Sequence, residues 1–351
     1  MTTNKIVLED LEAIRNSTID WQRFAGKTVL ITGANGFLPA YMVETLLYIN
    51  AKIGIDVKVI GLVRSIERAK KRFIEYAGDK NLTFIEQDVS KPVKIDENQT
   101  IDFIVHAASQ ASPKYYGTDP VGTLSANVLG TLNLMTLARE KNIESFLYFS
   151  SGEVYGQIDN EHNPVKEDYY GYLDPMQVRS CYGESKRMGE NICVSYYKQY
   201  NISAKVVRPF HTYGPGMQLD DGRVYADFVA DILNERNIEM KSDGSAKRSF
   251  CYLKDATIGF FIVLLNGTPG EAYNVGNPNE EHSILELAEA IIKLGNASLK
   301  VIKVDITADN QYLKSPLLRN TPNIDKLLVL GWSPQTDIMT GFERTIKSYL
   351  V

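Results

Sequence analysis

The sequence predicts a doubly wound parallel α/β sheet followed by a smaller, irregular α/β C-terminal part, and three observations carry that prediction. From Lys27 onward, short apolar runs rich in β-branched residues alternate with helical stretches. The strand candidates are continuously apolar, as strands covered on both faces are. A glycine-bearing turn joins the first strand to the first helix, where a doubly wound sheet places its phosphate site.

The elements follow in order. Residues 4–24 carry Ile6, Leu8, Leu11 and Ile14 interrupted by acids and read as one amphipathic helix, an appendage for packing or subunit contact. Strands are expected at Thr28–Thr32, Val57–Val63, Leu82–Ile85, Phe103–His106, Phe146–Phe149 and Lys205–Val207. Helices are expected at Phe37–Ile49, Ile66–Tyr76, Val121–Glu140 and Ser185–Tyr200. After Pro209 the chain turns rich in Gly, Pro and Asp, with shorter helices near Tyr225–Asn234, Ile284–Leu294 and Ile338–Leu350. The expected division is therefore an N-terminal extension (1–26), a dinucleotide-binding part (27–208) and a ligand-capping part (209–351) partly interleaved with it.

Composition narrows the function classes. A chain of 351 residues with 44% hydrophobic and 23% charged residues is ordinary for a globular protein and long enough for about two domains. Thirty-eight basic against 43 acidic residues give a net charge of −5, which offers no attraction to nucleic acid or an anionic membrane. The longest uninterrupted apolar run, Ile258 to Leu265, is short of a membrane span. The first 25 residues contain Glu9, Asp10, Glu12 and Asp20 and no apolar core of a secretory signal. Cys181, Cys193 and Cys251 are widely spaced and form no metal-like pattern, which suits a reducing cytoplasm. No metal is expected.

The turn reads Val29-Leu-Ile-Thr-Gly33-Ala-Asn35-Gly36-Phe37-Leu38-Pro39. Glycines here let backbone approach a pyrophosphate, and the helix N-terminus supplies N–H groups and a favourable dipole. Pro39 replaces the third glycine of the usual spacing and is tolerated in a first helical turn. The second strand ends in Arg64, where a carboxylate for a ribose diol would suit NAD. An arginine there can pair with a 2′-phosphate, so NADP is favoured and NAD left open. Arg68, Lys70 and Lys71 follow, and Asp88 after the third strand is placed for an adenine amino group.

Tyr182-Gly-Glu-Ser-Lys186 sets a phenol and an ammonium one helical turn apart, so the ammonium is expected to lower the phenol pKa. Alone, this spacing is common. Here it lies 31 residues after Ser151, which follows the fifth strand, with the glycine turn upstream.

In that combination the chain resembles the extended short-chain dehydrogenase/reductases of the NAD-dependent sugar-nucleotide epimerase/dehydratase family, over about Lys27 to Leu350. His106-Ala-Ala-Ser109, Asn127-Val-Leu-Gly-Thr131, Arg208-Pro-Phe-His-Thr-Tyr-Gly-Pro215, Arg248-Ser-Phe-Cys-Tyr252 and Tyr273-Asn-Val-Gly-Asn277 add to the likeness. The resemblance implies a Rossmann sheet, an NAD(P) cofactor, a nucleotide-sugar substrate and a homodimer formed through the helices holding Val121–Glu140 and Ser185–Tyr200. It implies that Ser151 holds the sugar C4 hydroxyl, that Tyr182 takes its proton and that Lys186 tunes Tyr182. A hydride passes to the nicotinamide and, in most members, returns. Val89, Ala107, Ala108, Ser109, Asn127 and Pro209 join the turn residues as implied cofactor contacts. Tyr116, His211, Arg223, Arg248 and Arg319 are the implied substrate contacts. His106 and Cys181 read as packing residues.

Glu153 discriminates among the reactions, because a carboxylate beside a 4-keto sugar can move a proton at C5. Stretches around Ala108–Tyr116, Arg179–Arg187 and Asp220–Val224 look most like UDP-glucuronate decarboxylases, so decarboxylation is favoured. A 4,6-dehydratase acting on a dTDP-glucose, GDP-mannose or CDP-glucose type of substrate, a 4-epimerase, a simple NADPH-consuming reductase and a non-catalytic NADP redox sensor remain as alternatives. Two departures stand against decarboxylation. His211 replaces a usual asparagine, and Asn320 stands where decarboxylases place an arginine, with Arg319 one residue further off.

Overall fold

The computed structural model describes residues 2–240, 242–296, 298–303 and 318–350. Its strands are β1 Thr28–Thr32, β2 Lys58–Val63, β3 Leu82–Glu86, β4 Phe103–His106, β5 Ser145–Phe149, β6 Ala204–Pro209, β7 His211–Tyr213, β8 Ile238–Met240, β9 Lys247–Tyr252, β10 Ala272–Val275, β11 Glu281–Ser283, β12 Val301–Lys303 and β13 Arg319–Asn320. Its helices are α1 Lys5–Arg15, α2 Phe37–Ile53, α3 Ile66–Arg72, α4 Lys114–Thr118, α5 Pro120–Lys141, α6 Cys181–Tyr200, α7 Val224–Leu233, α8 Leu253–Asn266, α9 Ile284–Ile292, α10 Asp325–Val329 and α11 Ile338–Tyr349.

Among the described residues, seven parallel strands form the main sheet in the order β10-β6-β5-β4-β1-β2-β3. The reversal between β1 and β4 is the switch point at which a doubly wound sheet opens a ligand crevice. Alternate residues of each strand feed opposite layers, since successive side chains point to opposite faces. Val29, Ile31, Val59, Phe103 and Val105 join the layer under α1, α2 and α8. Leu30, Ile60, Ile104, Phe146 and Val206 join the layer under α5 and α6.

Helix boundaries follow local chemistry. Asp119 caps α5 by accepting from the Gly122 N–H at 3.0 Å, and Pro120 opens the helix. Helix α2 starts at Gly36, seats Pro39 in its first turn and stops at Gly54, which is left-handed at φ 64°. Helix α6 lies close on β5 because Gly189 leaves room: a Cβ there would sit 2.1 Å from the Tyr148 hydroxyl.

Four expectations change. The N-terminal helix ends at Arg15, and a separate 3₁₀ turn spans Trp21–Phe24. Asn16 ends it, and Trp21 and Phe24 turn inward to pack on Phe261. The third predicted helix stops at Arg72 before a 3₁₀ turn at Ile74–Tyr76. Helix α6 begins four residues earlier than expected, and so contains Tyr182. The run Ile258–Leu265 lies in α8, an apolar helix buried against β5, β6 and β10. By length and composition α5 is apolar enough to cross a membrane, which the run-length test overlooked. Its inner residues Asn127, Thr131, Leu134 and Met135 are nonetheless packed inside the fold.

Residues on the two sides of position 208 share the main sheet, since β10 pairs with β6. The remaining C-terminal elements gather a second core around Tyr213, Phe228, Phe250, Leu287 and Phe342. The strands β7, β9, β11 and β13 form a small mixed sheet there.

Candidate active site

The C-terminal ends of the main strands open into a cavity of about 1090 Å³ that runs from the glycine turn to the C-terminal elements. Gly33 is left-handed at φ 63°, and a Cβ there would lie 2.9 Å from Ala108 Cα. Only glycine leaves that face open to a ligand's phosphates. Asn35, Gly36, Phe37, Leu38, Arg64, Asp88, Val89, Ala107, Ala108, Ser109 and Pro209 line the same cavity. Asp88 spends one oxygen on its own turn, accepting from the Ser90 N–H at 2.9 Å. The Ser109 hydroxyl is buried without a protein partner, as a group meant for a bound hydroxyl or phosphate would be. The glycine cradle, the orphan hydroxyl and the basic edge of Arg64, Arg68 and Lys71 fit a dinucleotide.

At the other end stand Ser151, Glu153, Tyr182 and Lys186. Ser151 caps the 3₁₀ turn Gly152–Tyr155 through the Glu153 N–H at 3.2 Å, which fixes the backbone that carries Glu153. The Lys186 ammonium donates to the Phe149 carbonyl at 2.7 Å and lies 5.7 Å from the centre of the Tyr182 ring. Burial pushes the Tyr182 phenol up to about 12, against the lowering effects of the Ser151 hydroxyl and Arg223. Burial likewise drives Lys186 down to about 7. The expectation that Lys186 lowers the phenol is therefore not met in the chain alone. Both groups are almost wholly buried, and loss of water is the leading cause of each shift.

Tyr116, His211 and Arg223 also line the cavity, as expected. Tyr116 stacks on Tyr182, centroids 4.9 Å apart and planes 20° apart. His211 is pushed down to about 3 by burial and then by Arg248 and Arg223, so it is neutral. Arg223 lies 3.5 Å from Asp221.

Three expected contacts stand elsewhere. Asn127 donates to Ser185 Oγ at 3.0 Å behind α6, because α5 packs directly on that helix. Arg248 is buried and not among the residues lining the cavity, and its guanidinium donates to the Lys247 carbonyl at 2.7 Å. Arg319 turns away onto Glu281, with Nε and Nη2 at 2.6 and 2.7 Å from its two oxygens. The strand alternation of β13 decides this, since Asn320 is the neighbour that enters the cavity. His106, in contrast, is the packing residue expected: it is buried, 2.9 Å from Thr32 Oγ1, and pushed down to about 3.

The sequence reading missed Arg179 and the orientation of Asn320. Arg179 Nη2 donates to Glu153 at 3.1 Å, and its guanidinium lies 4.8 Å from the Tyr116 ring centre. Its place three residues before Tyr182 was the available signal. Asn320 is 3% exposed with its Oδ1 unpartnered, and its Nδ2 would meet a Cβ on Gly152 at 3.4 Å.

Residues 29–276 match the model of the NAD dependent epimerase/dehydratase family. UDP-glucuronic acid decarboxylase 3 of Arabidopsis thaliana is 36% identical over 313 residues, covering 89% of this chain and 86% of that protein. UDP-glucuronic acid decarboxylase 1 of Xenopus tropicalis is 33% identical over 324 residues, covering 92% of this chain and 72% of that one. Among solved structures, dTDP-glucose 4,6-dehydratase from Bacillus anthracis in complex with NAD superposes with a TM-score of 0.77 at 21% identity, covering 92% and 96% of the two chains.

Proposed function

The chain belongs to the NAD-dependent epimerase/dehydratase family, and on that premise we propose that it decarboxylates UDP-glucuronate through transient oxidation at C4 of the sugar. The observation that carries the reading is the convergence of Ser151, Glu153, Tyr182 and Lys186 at one end of a cavity whose other end is the Gly33 turn. The names of the 32–36% identical relatives support the decarboxylase assignment.

A bound nicotinamide dinucleotide supplies the two-electron oxidation in this family. Ser151 and Tyr182 hold the C4 hydroxyl, and Tyr182 accepts its proton. Lys186, fixed by the Phe149 carbonyl, presents its ammonium beside the Tyr182 ring. The C4 ketone makes the C5 carboxylate a β-keto acid, which loses CO₂ readily. Glu153 then serves the proton at C5. The basic edge of Arg64, Arg68 and Lys71 favours a 2′-phosphate and therefore NADP over NAD. Competition between the two dinucleotides for binding tests that preference.

A homodimer is part of the reading. Helices α5 and α6 expose Leu124, Leu129, Leu132, Met188 and Val194. Such apolar exposure on paired helices suits burial against a second copy. We place the enzyme in the cytoplasm, consistent with Cys181, Cys193 and Cys251 remaining free thiols.

A second reading, 4,6-dehydration, draws support from the cavity's neutral Asn320 and the outward Arg319. An unpartnered amide oxygen accepts from a C6 hydroxyl and offers nothing to a carboxylate. Incubation with UDP-glucuronate, UDP-glucose, dTDP-glucose, GDP-mannose and CDP-glucose, followed by mass, separates the readings. Loss of CO₂ supports decarboxylation, loss of water dehydration and an unchanged mass with a new isomer epimerisation. No reaction with UDP-glucuronate sinks the first reading, and no reaction with any sugar sinks both.

A further inference from the structure

We propose that Arg179 is a positioning residue that fixes the Glu153 carboxylate for proton delivery to one face of the sugar's C5. The inference rests on the reading that C4 oxidation precedes chemistry at C5. Glu153 sits on a single 3₁₀ turn whose backbone is held by Ser151, but its side chain is 27% exposed and would otherwise rotate. The Arg179 Nη2 donates to that carboxylate at 3.1 Å and holds it.

Arg179 is itself held by its surroundings. It lies in the 3₁₀ turn Val178–Ser180, which runs directly into α6, so its backbone moves with Tyr182. Its guanidinium rests 4.8 Å from the centre of the Tyr116 ring, and that ring stacks on Tyr182. The Tyr116 hydroxyl donates to the Ala111 carbonyl at 3.0 Å, which fixes the middle of the stack. Arg179 Nε is buried without a partner, so the guanidinium is held by one carboxylate and one ring face. The arrangement therefore ties the C5 group, Glu153, to the C4 group, Tyr182, through a cation and an aromatic ring.

The chemistry explains why such a tie matters. In decarboxylation the C5–C6 bond breaks, its electron pair stays on C5 conjugated with the C4 ketone, and CO₂ leaves. One proton must then be added at C5: Glu153 in its protonated form gives it, becomes the carboxylate beside Arg179, and takes up another proton from solvent through its exposed edge. A carboxyl group held in one place, when protonated, delivers its proton to one face. A displacement of about 1 Å can cost about 10²-fold in such a step.

The test uses the full-length enzyme with its dinucleotide and UDP-glucuronate in D₂O, comparing wild type, Arg179→Ala and Arg179→Lys. Oxidation is read as reduced-nicotinamide absorbance in a single turnover, and the C5 deuteron is located by NMR. In Arg179→Ala, oxidation is expected within about threefold of wild type, while product formation falls about 10²-fold and the deuteron appears on both faces. Arg179→Lys, which keeps the charge and most of the side chain, should recover part of the rate and the stereochemistry, which a misfolded variant would not. A single-face deuteron in Arg179→Ala, or equal slowing of oxidation and product formation, overturns the proposal. If wild type spares UDP-glucuronate but dehydrates another sugar, the decarboxylase reading fails. Stereospecific C5 hydrogen exchange with that sugar then tests Arg179 in the same way. A wild type that reacts with none of the sugars overturns the proposal along with the reading beneath it.

Discussion

Arg319 and Glu281 form a two-bond ion pair that commits the arginine away from the sugar cavity, while Asn320 beside it enters. The pair is partly exposed, with the Arg319 side chain 35% accessible, so its loss should cost no more than about 1 kcal/mol. Arg319→Ala is therefore expected to leave KM for nucleotide sugars unchanged. Asn320→Asp, which places a carboxylate at the cavity wall, should raise KM for UDP-glucuronate about tenfold relative to UDP-glucose. Steady-state kinetics with both sugars measure it, and an unchanged ratio means that Asn320 does not meet the C6 group.

Tyr182→Phe removes the group proposed to take the C4 proton and leaves the stacked ring in place. Turnover should fall by about 10²- to 10⁴-fold with nucleotide-sugar affinity little changed. Calorimetric titration beside a product assay separates the two, and near-normal turnover would dismiss Tyr182 as the base.

Gly33→Ala forces a Cβ against Ala108 and places alanine at φ 63°. The strain should cost about 1–2 kcal/mol of stability. Dinucleotide affinity should fall by at least about tenfold, because the phosphate face is filled. Fluorescence titration with NAD and NADP reads the loss.

His106 predicts a pH dependence. Burial, reinforced by the Lys186 charge, holds its imidazole at about 3 against an ordinary 6.5. Between those values the unfolded chain binds a proton that the folded chain refuses. Stability is thus complete above about 6.5 and is lost as pH falls towards 3. His106→Asn should flatten the dependence by up to about 1.4 kcal/mol per pH unit. Urea unfolding across that window supplies the slopes, which are insensitive to a constant packing loss. Equal slopes would clear His106.

Asp10 anchors α1 to both parts of the fold, accepting from Tyr41 at 2.9 Å, Tyr252 at 2.7 Å and Arg344 at 2.7 Å while 1% exposed. Asp10→Ala leaves two buried hydroxyls and a cation short of a partner, at about 3 kcal/mol. Thermal unfolding at neutral pH should show it as a lowered Tm, and an unchanged Tm would make the extension dispensable to stability.

These networks explain which parts of the chain were legible. Strands buried on both faces announce themselves through continuous apolar runs, whereas a helix end set by one residue does not: α2 runs past the expected Ile49 to the left-handed Gly54. Helix α8 is apolar all round, so its run carries no period and reads as easily as a strand or a span. The N-terminal stretch was overextended because acids and apolar residues recur through it, while the turn at Trp21 is set by packing on Phe261. Asn127 sits at a position expected to face the cofactor, but the close packing of α5 on α6 turned it to Ser185.

By itself the sequence determined the strand and helix order, the Gly33 turn and the Ser151, Tyr182 and Lys186 set, because these depend on local backbone chemistry and fixed spacings. The tertiary structure decided which charges face the ligand. It put Arg179 on Glu153, sent Arg319 to Glu281 and brought Asn320 inside. It also reversed the expected titration of Tyr182, since burial is a property of the whole fold and outweighs a neighbouring charge. Residue type and spacing point to the proposed reacting groups, whereas orientation and desolvation arise only when distant segments pack together.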